Sequence, residues 1–303
     1  MNIDNLIDGI LDGDNRSIAR SISIIENSNN EVRRTIIKKI FHHGNAKIIG
    51  ITGPPGVGKS TIIGRLAPML AKHGKVSILA VDPSSPFSGA AIMGNRIRMQ
   101  AALTESGIFM RSTSNRLYNG GLSEYSWDIT KILEASGSDF IILETVGSGQ
   151  SDVEIMNIAD ITCVVLSPGL GDEIQAIKSG IMEIGDIFVI NKIDMNGSYL
   201  AIKDIKESLS MSNKLGTPVI GLNSISGENY GELLDYIIKW NKRNIQRRYN
   251  MKLREIVLQT LFEKYKAYLD NINYEDLEKK DPYTFALALV NDFEKFNSKS
   301  ISK

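Results

Sequence analysis

The sequence predicts an α/β protein built on a doubly wound, mostly parallel sheet, and three observations carry that expectation. From about residue 46 onward, short β-branched apolar runs alternate with amphipathic stretches, as in successive strand–helix units. The runs near 140, 162 and 187 are almost wholly apolar, as strands covered by helices on both faces must be. A glycine-rich segment, Gly53-Pro54-Pro55-Gly56-Val57-Gly58-Lys59-Ser60-Thr61, lies between the first such run and a helical pattern.

Taken in order, residues 1 to about 45 read as helical. Ile18, Ile22 and Ile25 recur at i, i+4 and i+7, and a second helix is expected over Glu31–Phe41. The expected strands are Lys47–Ile51, Val76–Val81, Phe140–Thr145, Thr162–Ser167, Ile187–Ile190 and Pro218–Leu222, with a further short one near Ile108–Arg111. Beyond Tyr230 the strand pattern stops. Leu233, Leu234, Ile237 and Ile238 mark one helix, Ile256–Leu269 a second, and Pro282 opens a last one, since proline is tolerated in a first helical turn. The expected organisation is an N-terminal helical extension (1–45), a P-loop domain (46–245) and a C-terminal helical arm (246–303).

Composition sets outer bounds. With 303 residues the chain can bury one large α/β core with modest additions, and 42% hydrophobic with 23% charged residues is ordinary for a soluble protein. Lysine plus arginine equals aspartate plus glutamate, 35 against 35, so bulk charge gives no reason to expect a nucleic acid partner. The one cysteine, Cys163, lies in the apolar run 161–166 and reads as a small buried hydrophobe. It cannot form an internal disulfide, which fits a reducing compartment. The acidic N-terminus lacks the features of a signal peptide. No apolar run reaches the roughly 18 residues of a membrane span. A cytoplasmic location is expected.

The glycine-rich segment matches G-x-x-x-x-G-K-[ST] in its required setting, after a strand and before a helix patterned by Ile62, Ile63, Leu66 and Leu70. Glycines at 53, 56 and 58 let backbone amides turn inward and approach phosphate oxygens with no Cβ in the way. The helix N-terminus adds partial positive charge at the same point. Lys59 is expected to neutralise the β- and γ-phosphates and the Ser60 hydroxyl to ligate Mg²⁺, with Val57 and Thr61 completing the loop's contacts.

Asn191-Lys192-Ile193-Asp194 follows at the carboxyl end of an apolar strand, roughly 130 residues beyond the phosphate loop. The Asp194 carboxylate can accept hydrogen bonds from both the ring N–H and the exocyclic amine of guanine. Adenine presents an acceptor and a donor on that edge and would leave the carboxylate partly unpaired. Lys192 is expected against the base plane, Asn191 as a tie to the phosphate loop, and Ser224 in a second base-contacting loop. Glu144 ends another strand and is a candidate Mg²⁺-site carboxylate. Gly147 is placed to offer its amide to the γ-phosphate, and Asp82 at the end of Val76–Val81 is a second acidic candidate.

With those residues in place the chain resembles the MeaB/ArgK GTPases of the SIMIBI class of P-loop proteins, through nearly its whole length. The resemblance is carried by residues 13–20, the phosphate loop, Val81-Asp82-Pro83-Ser84-Ser85-Pro86-Phe87-Ser88-Gly89, Arg96–Met99, residues 144–151, 168–175 and 178–183. It implies a GTP-hydrolysing chaperone that gates cofactor loading and protects an adenosylcobalamin-dependent acyl-CoA mutase, usually methylmalonyl-CoA mutase. It implies a homodimer joined through C-terminal helices, and switch regions at about 82–99, 144–157 and 172–188. Asp82, Glu144, Asp172, Gln175 and Lys178 would then sense nucleotide state, with Lys59, Glu144, Asp172 and Lys178 as the catalytic set. Two departures stand out. Asn95 replaces an aspartate usual in similar proteins, which suggests slow or partner-dependent hydrolysis. Arg116-Leu-Tyr-Asn-Gly-Gly121 lacks the family's usual Arg-Gly before its double glycine.

Two other readings stay open at this level. One is a metallochaperone GTPase, against which stand only three histidines, His42, His43 and His73, and no metal-ligand cluster. The other is a kinase of an amino-acid transport system. The basic run Lys242, Arg243, Arg247, Arg248, Lys252, Arg254 reads as a solvated helical face, and Tyr265, Tyr268, Tyr283, Phe285, Phe293 and Phe296 as packing or dimer contacts.

Overall fold

A computed structural model describes residues 3–28, 30–83, 103, 106–115, 125–145, 150–169, 181–212, 214–271 and 281–301. The chain divides into two units, Met1–Ile245 and Gln246–Lys303. The first opens with three helices, α1 (Ile3–Leu11), α2 (Asn15–Asn27) and α3 (Asn30–Ile40). The sequence pattern marks only two of them, α2 and α3. Asp14 starts α2 sharply: its carboxylate accepts from the backbone N–H of Ser17 at 2.8 Å and from the Ser17 hydroxyl at 2.7 Å. Those hydrogen bonds hold its carboxyl below the usual carboxylate range.

Seven parallel strands form one sheet in the order β3-β2-β4-β1-β5-β6-β7. They are β1 (Lys47–Thr52), β2 (Val76–Pro83), β3 (Phe109–Asn115), β4 (Phe140–Glu144), β5 (Ile161–Leu166), β6 (Ile187–Asn191) and β7 (Val219–Leu222). Between them run α4 (Lys59–Leu70), α5 (Ser126–Ala135), α6 (Gln150–Ile158), the short α7 (Ile181–Ile184), α8 (Ser198–Met211) and α9 (Tyr230–Lys239). The doubly wound parallel sheet expected from sequence is present.

Two separate cores show why the central strands are apolar throughout. Ile48, Leu79, Ile141, Leu143, Val164 and Ile190 pack into one, with Ile18, Ile22, Ile25 and Ile36 of the N-terminal helices and Ile129 and Leu133 of α5. Ile49, Ile51, Ile78, Ile142, Cys163, Val165 and Val189 pack into the other, with Ile62, Ile63 and Leu66 of α4 and Leu233 and Ile237 of α9. Adjacent residues enter opposite cores, as strand pleating requires.

The strand near 108–111 is longer than its apolar signal. β3 pairs along β2 from Ser77↔Phe109 to Pro83↔Asn115. As an edge strand it needs no continuous apolar run: Thr113 is buried and Ser112 exposed. Arg111 instead reaches α2, donating to the Ser23 hydroxyl and to Glu26 Oε2, both at 3.0 Å. The N-terminal helices are therefore tied to the sheet edge by polar as well as apolar contacts.

The second unit comprises most of α10 (Ile245–Leu269) together with α11 (Pro282–Ile301). α10 begins well before Ile256, where periodicity first shows, because its opening turns are charged helix formers without an apolar stripe. The expectation of a wholly solvated basic face needs correction: Arg248 and Lys252, one turn apart, are buried, while Arg247 and Arg254 are exposed. The rings of Tyr265 and Tyr268 on α10 meet Phe293 on α11 at centroid distances of 5.0 and 5.4 Å. No helix among the described residues is long and apolar enough to cross a membrane.

Candidate functional site

β1 lies between β4 and β5, where the chain's progress along the sheet reverses direction. The loops leaving the carboxyl ends of strands at such a point frame a crevice, and ligands of doubly wound sheets bind there. The phosphate loop occupies it, running from Gly53 after β1 to Gly58 before α4. Gly53, Gly56 and Gly58 have φ of 137°, 77° and 98°, a region that side chains rarely adopt. A Cβ at Gly53 would collide with the Val165 carbonyl oxygen, and one at Gly58 with the Asn191 side-chain nitrogen. Only glycine allows the loop to pass this close to β5 and β6.

Lys59 is buried, and its Nζ donates to the carbonyl oxygens of Gly53 at 2.6 Å and Pro54 at 2.9 Å. The ammonium is thereby held inside the arc of its own loop, at the N-terminus of α4, where positive charge from Lys59 and from the helix add. Val57 is buried and offers its carbonyl to the neighbouring loop, whereas Thr61 is exposed.

Asn191 ends β6 with no exposed surface. Its Nδ2 donates to the Val57 carbonyl at 2.7 Å and to the Ser224 hydroxyl at 3.1 Å, while its Oδ1 accepts the Ser224 backbone N–H at 3.0 Å. One side chain thus joins the phosphate loop, the Asn-Lys-x-Asp loop and the loop after β7. Lys192 adopts the left-handed region, φ 59°, and its Nζ donates to the Gly56 carbonyl at 2.9 Å, so its stem spans from one loop to the other. Asp194 is exposed to solvent.

Ser60 and Glu144, expected to share a metal site, are in contact: the Ser60 hydroxyl donates to Glu144 Oε1 at 2.6 Å. The other oxygen, Oε2, is buried and has no hydrogen-bond partner among the described residues. An unpaired buried carboxylate oxygen is costly, and its chemistry suits a water-clad divalent cation held by one hydroxyl and a nearby acid. The residues present fit Mg²⁺. Next to this pair, the Thr145 hydroxyl donates to the Thr52 hydroxyl at 2.7 Å and the Thr145 N–H to the Ile51 carbonyl at 3.1 Å, bracing the end of β4 against the root of the phosphate loop.

Other expected residues are not reached. Gly147, Asp172, Gln175 and Lys178, and Asn95 with them, lie outside the described residues. Asp82 is placed in β2 by its backbone alone. Conversely, sequence reading missed three contributors. Asn223 donates from Nδ2 to Asp194 Oδ1 at 2.9 Å. Arg65 of α4 donates to the Ile225 carbonyl at 2.6 Å, and its guanidinium lies 5.9 Å from the Tyr230 ring centre. Burial pushes the Tyr230 hydroxyl up to about 12, with Arg65 opposing. The sequence held only a weak sign of Asn223, its place directly before Ser224; nothing pointed to Arg65.

Among nucleotide hydrolases built on such a sheet, an Asn-Lys-x-Asp loop cross-tied to the phosphate loop belongs to those that take guanine. The chain is a P-loop GTPase. Residues 18–269 match the family described as methylmalonyl-CoA mutase-associated GTPase MeaB, and the chain belongs to that family. A Pyrococcus abyssi protein carrying a provisional GTPase assignment is 39% identical over 313 aligned positions, covering 96% of each chain. The mitochondrial methylmalonic aciduria type A homolog of Caenorhabditis elegans is 31% identical over 209 positions, 64% of this chain and 52% of that one. Among solved structures, that of a LAO/AO transport system kinase superposes with a TM-score of 0.66 at 21% identity, over 98% of this chain and 99% of the other, a likeness of fold.

Proposed function

We propose that this GTPase serves an adenosylcobalamin-dependent acyl-CoA mutase, with methylmalonyl-CoA mutase as the partner, and regulates loading and protection of its cofactor. The observation that carries the reading is the family match across residues 18–269, supported by a relative named for methylmalonic aciduria. The partner would read the switch segments at about 82–99, 144–157 and 172–188.

In this reading the loop amides of 53–61 and Lys59 grip the triphosphate, Asn191 holds the two loops in register, Lys192 covers the base plane and Asp194 selects guanine over adenine. Ser60 and Glu144, with Asp82, would hold Mg²⁺, which when bound spreads charge from the phosphate oxygens and orients them. Phosphoryl transfer to water rests on positioning and charge stabilisation. Lys59 and the loop amides would carry that part, with Gly147, Asp172 and Lys178 assigned to the same task. Asn95 makes turnover slow until the partner binds; fast Mg²⁺-dependent turnover by the isolated chain would contradict that point.

The reading keeps the three-part division at about 45 and 245 and a cytoplasmic setting. It assigns α10 and α11 to self-association. Leu258, Leu261, Phe262, Tyr283 and Leu287 are exposed on these helices, and a second copy would remove their apolar surface from water.

The test mixes purified chain with purified methylmalonyl-CoA mutase from the same source, in GDP and in a non-hydrolysable GTP analogue. Complex formation that depends on the nucleotide, together with a rise in GTP turnover, is expected. Absence of both would sink the mutase assignment. Transfer of radiolabel from the γ-phosphate to a transport protein would favour the kinase reading instead.

A further inference from the structure

We propose that Asn223 is the positioning residue for the Asp194 carboxylate and so a determinant of guanine selectivity. The proposal rests on the reading that Asp194 pairs with the base.

β6 and β7 pair in register, with Asn191 opposite Leu222, so the loops that follow them leave the sheet side by side. Asn223 is the first residue beyond β7, and Asp194 the third beyond β6. The Asn223 side chain is used at both ends. Its Oδ1 accepts the backbone N–H groups of Ile225 at 2.9 Å and Ser226 at 3.1 Å, and its Nδ2 donates to Asp194 Oδ1 at 2.9 Å. Two backbone donors on one oxygen settle which way the amide faces: Oδ1 must point to them and Nδ2 to the carboxylate.

The frame behind Asn223 is itself braced. Its carbonyl accepts the Gly227 N–H at 2.9 Å, Asn223 bridges to Glu228, and the Arg65 guanidinium holds the Ile225 carbonyl at 2.6 Å from the phosphate-binding helix. The backbone at Asp194 is held by the turn from the Lys192 carbonyl to the Met195 N–H at 3.0 Å and by the Ile193 N–H on the Leu222 carbonyl at 3.3 Å, but these bonds do not orient its carboxylate. Asp194 is exposed, and the Asn223 amide makes the one hydrogen bond to its carboxylate among the described residues. A free carboxylate rotates about two side-chain torsions. A fixed donor on Oδ1 removes that freedom and leaves Oδ2 and the remaining Oδ1 lone pair for the two N–H groups of guanine.

Asn223→Asp separates positioning from loop folding. It keeps an oxygen for the Ile225 and Ser226 amides but turns a second carboxylate oxygen, not a donor, towards Asp194. Inosine nucleotides lack the exocyclic amine and depend on only one of the two carboxylate bonds, so the GDP-to-IDP affinity ratio reports carboxylate orientation. Calorimetry with Mg²⁺ on the full chain would compare wild type, Asn223→Asp, Asn223→Ala and Asp194→Asn, each first checked for unaltered thermal unfolding. For Asn223→Asp, GDP affinity should fall about tenfold and the GDP-to-IDP ratio at least about threefold, as expected for loss of a hydrogen bond to a charged group. Asn223→Ala should move the ratio the same way. If either folded variant weakens GDP and IDP equally, or leaves both unchanged, while Asp194→Asn abolishes guanine preference, the positioning role is overturned and the base assignment stands. Unchanged selectivity in Asp194→Asn would instead overturn the base assignment, and the proposal with it.

Discussion

Asn191→Ala removes a side chain that touches all three nucleotide loops. Three groups lose their partner: the Val57 carbonyl, the Ser224 hydroxyl and the Ser224 N–H, at 2.7, 3.1 and 3.0 Å. Asn191 has no exposed surface, and Val57 and Ser224 are buried, so water cannot replace the lost bonds without opening the site. At roughly 1 kcal/mol for each buried group left unsatisfied, the loss of stability is about 3 kcal/mol. At 2–4 °C per kcal/mol for a unit of this size, the unfolding midpoint should drop by roughly 6–12 °C. If half of that energy is the coupling that holds phosphate and base loops in register, GDP affinity should fall about tenfold. Thermal unfolding by circular dichroism without nucleotide and calorimetric titration with GDP measure the two effects. A midpoint within about 2 °C of wild type and unaltered affinity would refute the view that this side chain couples the loops.

Lys59→Ala deletes the ammonium that the loop carbonyls hold, and nucleotide binding or turnover should be abolished; wild-type turnover would refute its role. Glu144→Gln should raise the Mg²⁺ concentration needed for half-maximal turnover, because it removes a carboxylate from beside the Ser60 hydroxyl. Equal Mg²⁺ requirements in both proteins would count against its place at the metal. Cys163 gives a pH test. Burial, with the Asp186 carboxylate adding, pushes its thiol from 9.0 up to about 12, so the folded state keeps a proton that the unfolded chain releases. The stability this lends is whole below about pH 9 and is lost towards 12, by about 1.4 kcal/mol per pH unit. Tyr230 titrates in a similar window, and the depressed lysines Lys47 and Lys214 have the opposite sign, so the quantity to measure is wild type minus Cys163→Ala in urea unfolding. That difference should shrink steadily above pH 9; a constant difference would show that Cys163 is not the titrating group.

Much of this molecule is written in local pattern. The apolar runs at 140, 162 and 187 have the pattern expected of strands covered on both faces, and Ile18, Ile22 and Ile25 that of a helical stripe; the two cores contain them. The phosphate loop was legible because its glycines, lysine and serine are adjacent in the chain and their chemistry is fixed by backbone geometry. What tertiary structure decided are relations between residues far apart in sequence. That Ser60 meets Glu144, that Asn191 meets Val57 and Ser224, and that Asn223 steadies Asp194 depend on strand order, since β1 lies beside both β4 and β5, and β6 beside β7. β3 was only half visible because only Phe109 and Met110 pack on the two cores and the rest of the strand, polar from Arg111 on, is held by backbone pairing to β2; Arg248 and Lys252 read as solvated because burial is a property of neighbours, which charge patterning along a chain does not contain.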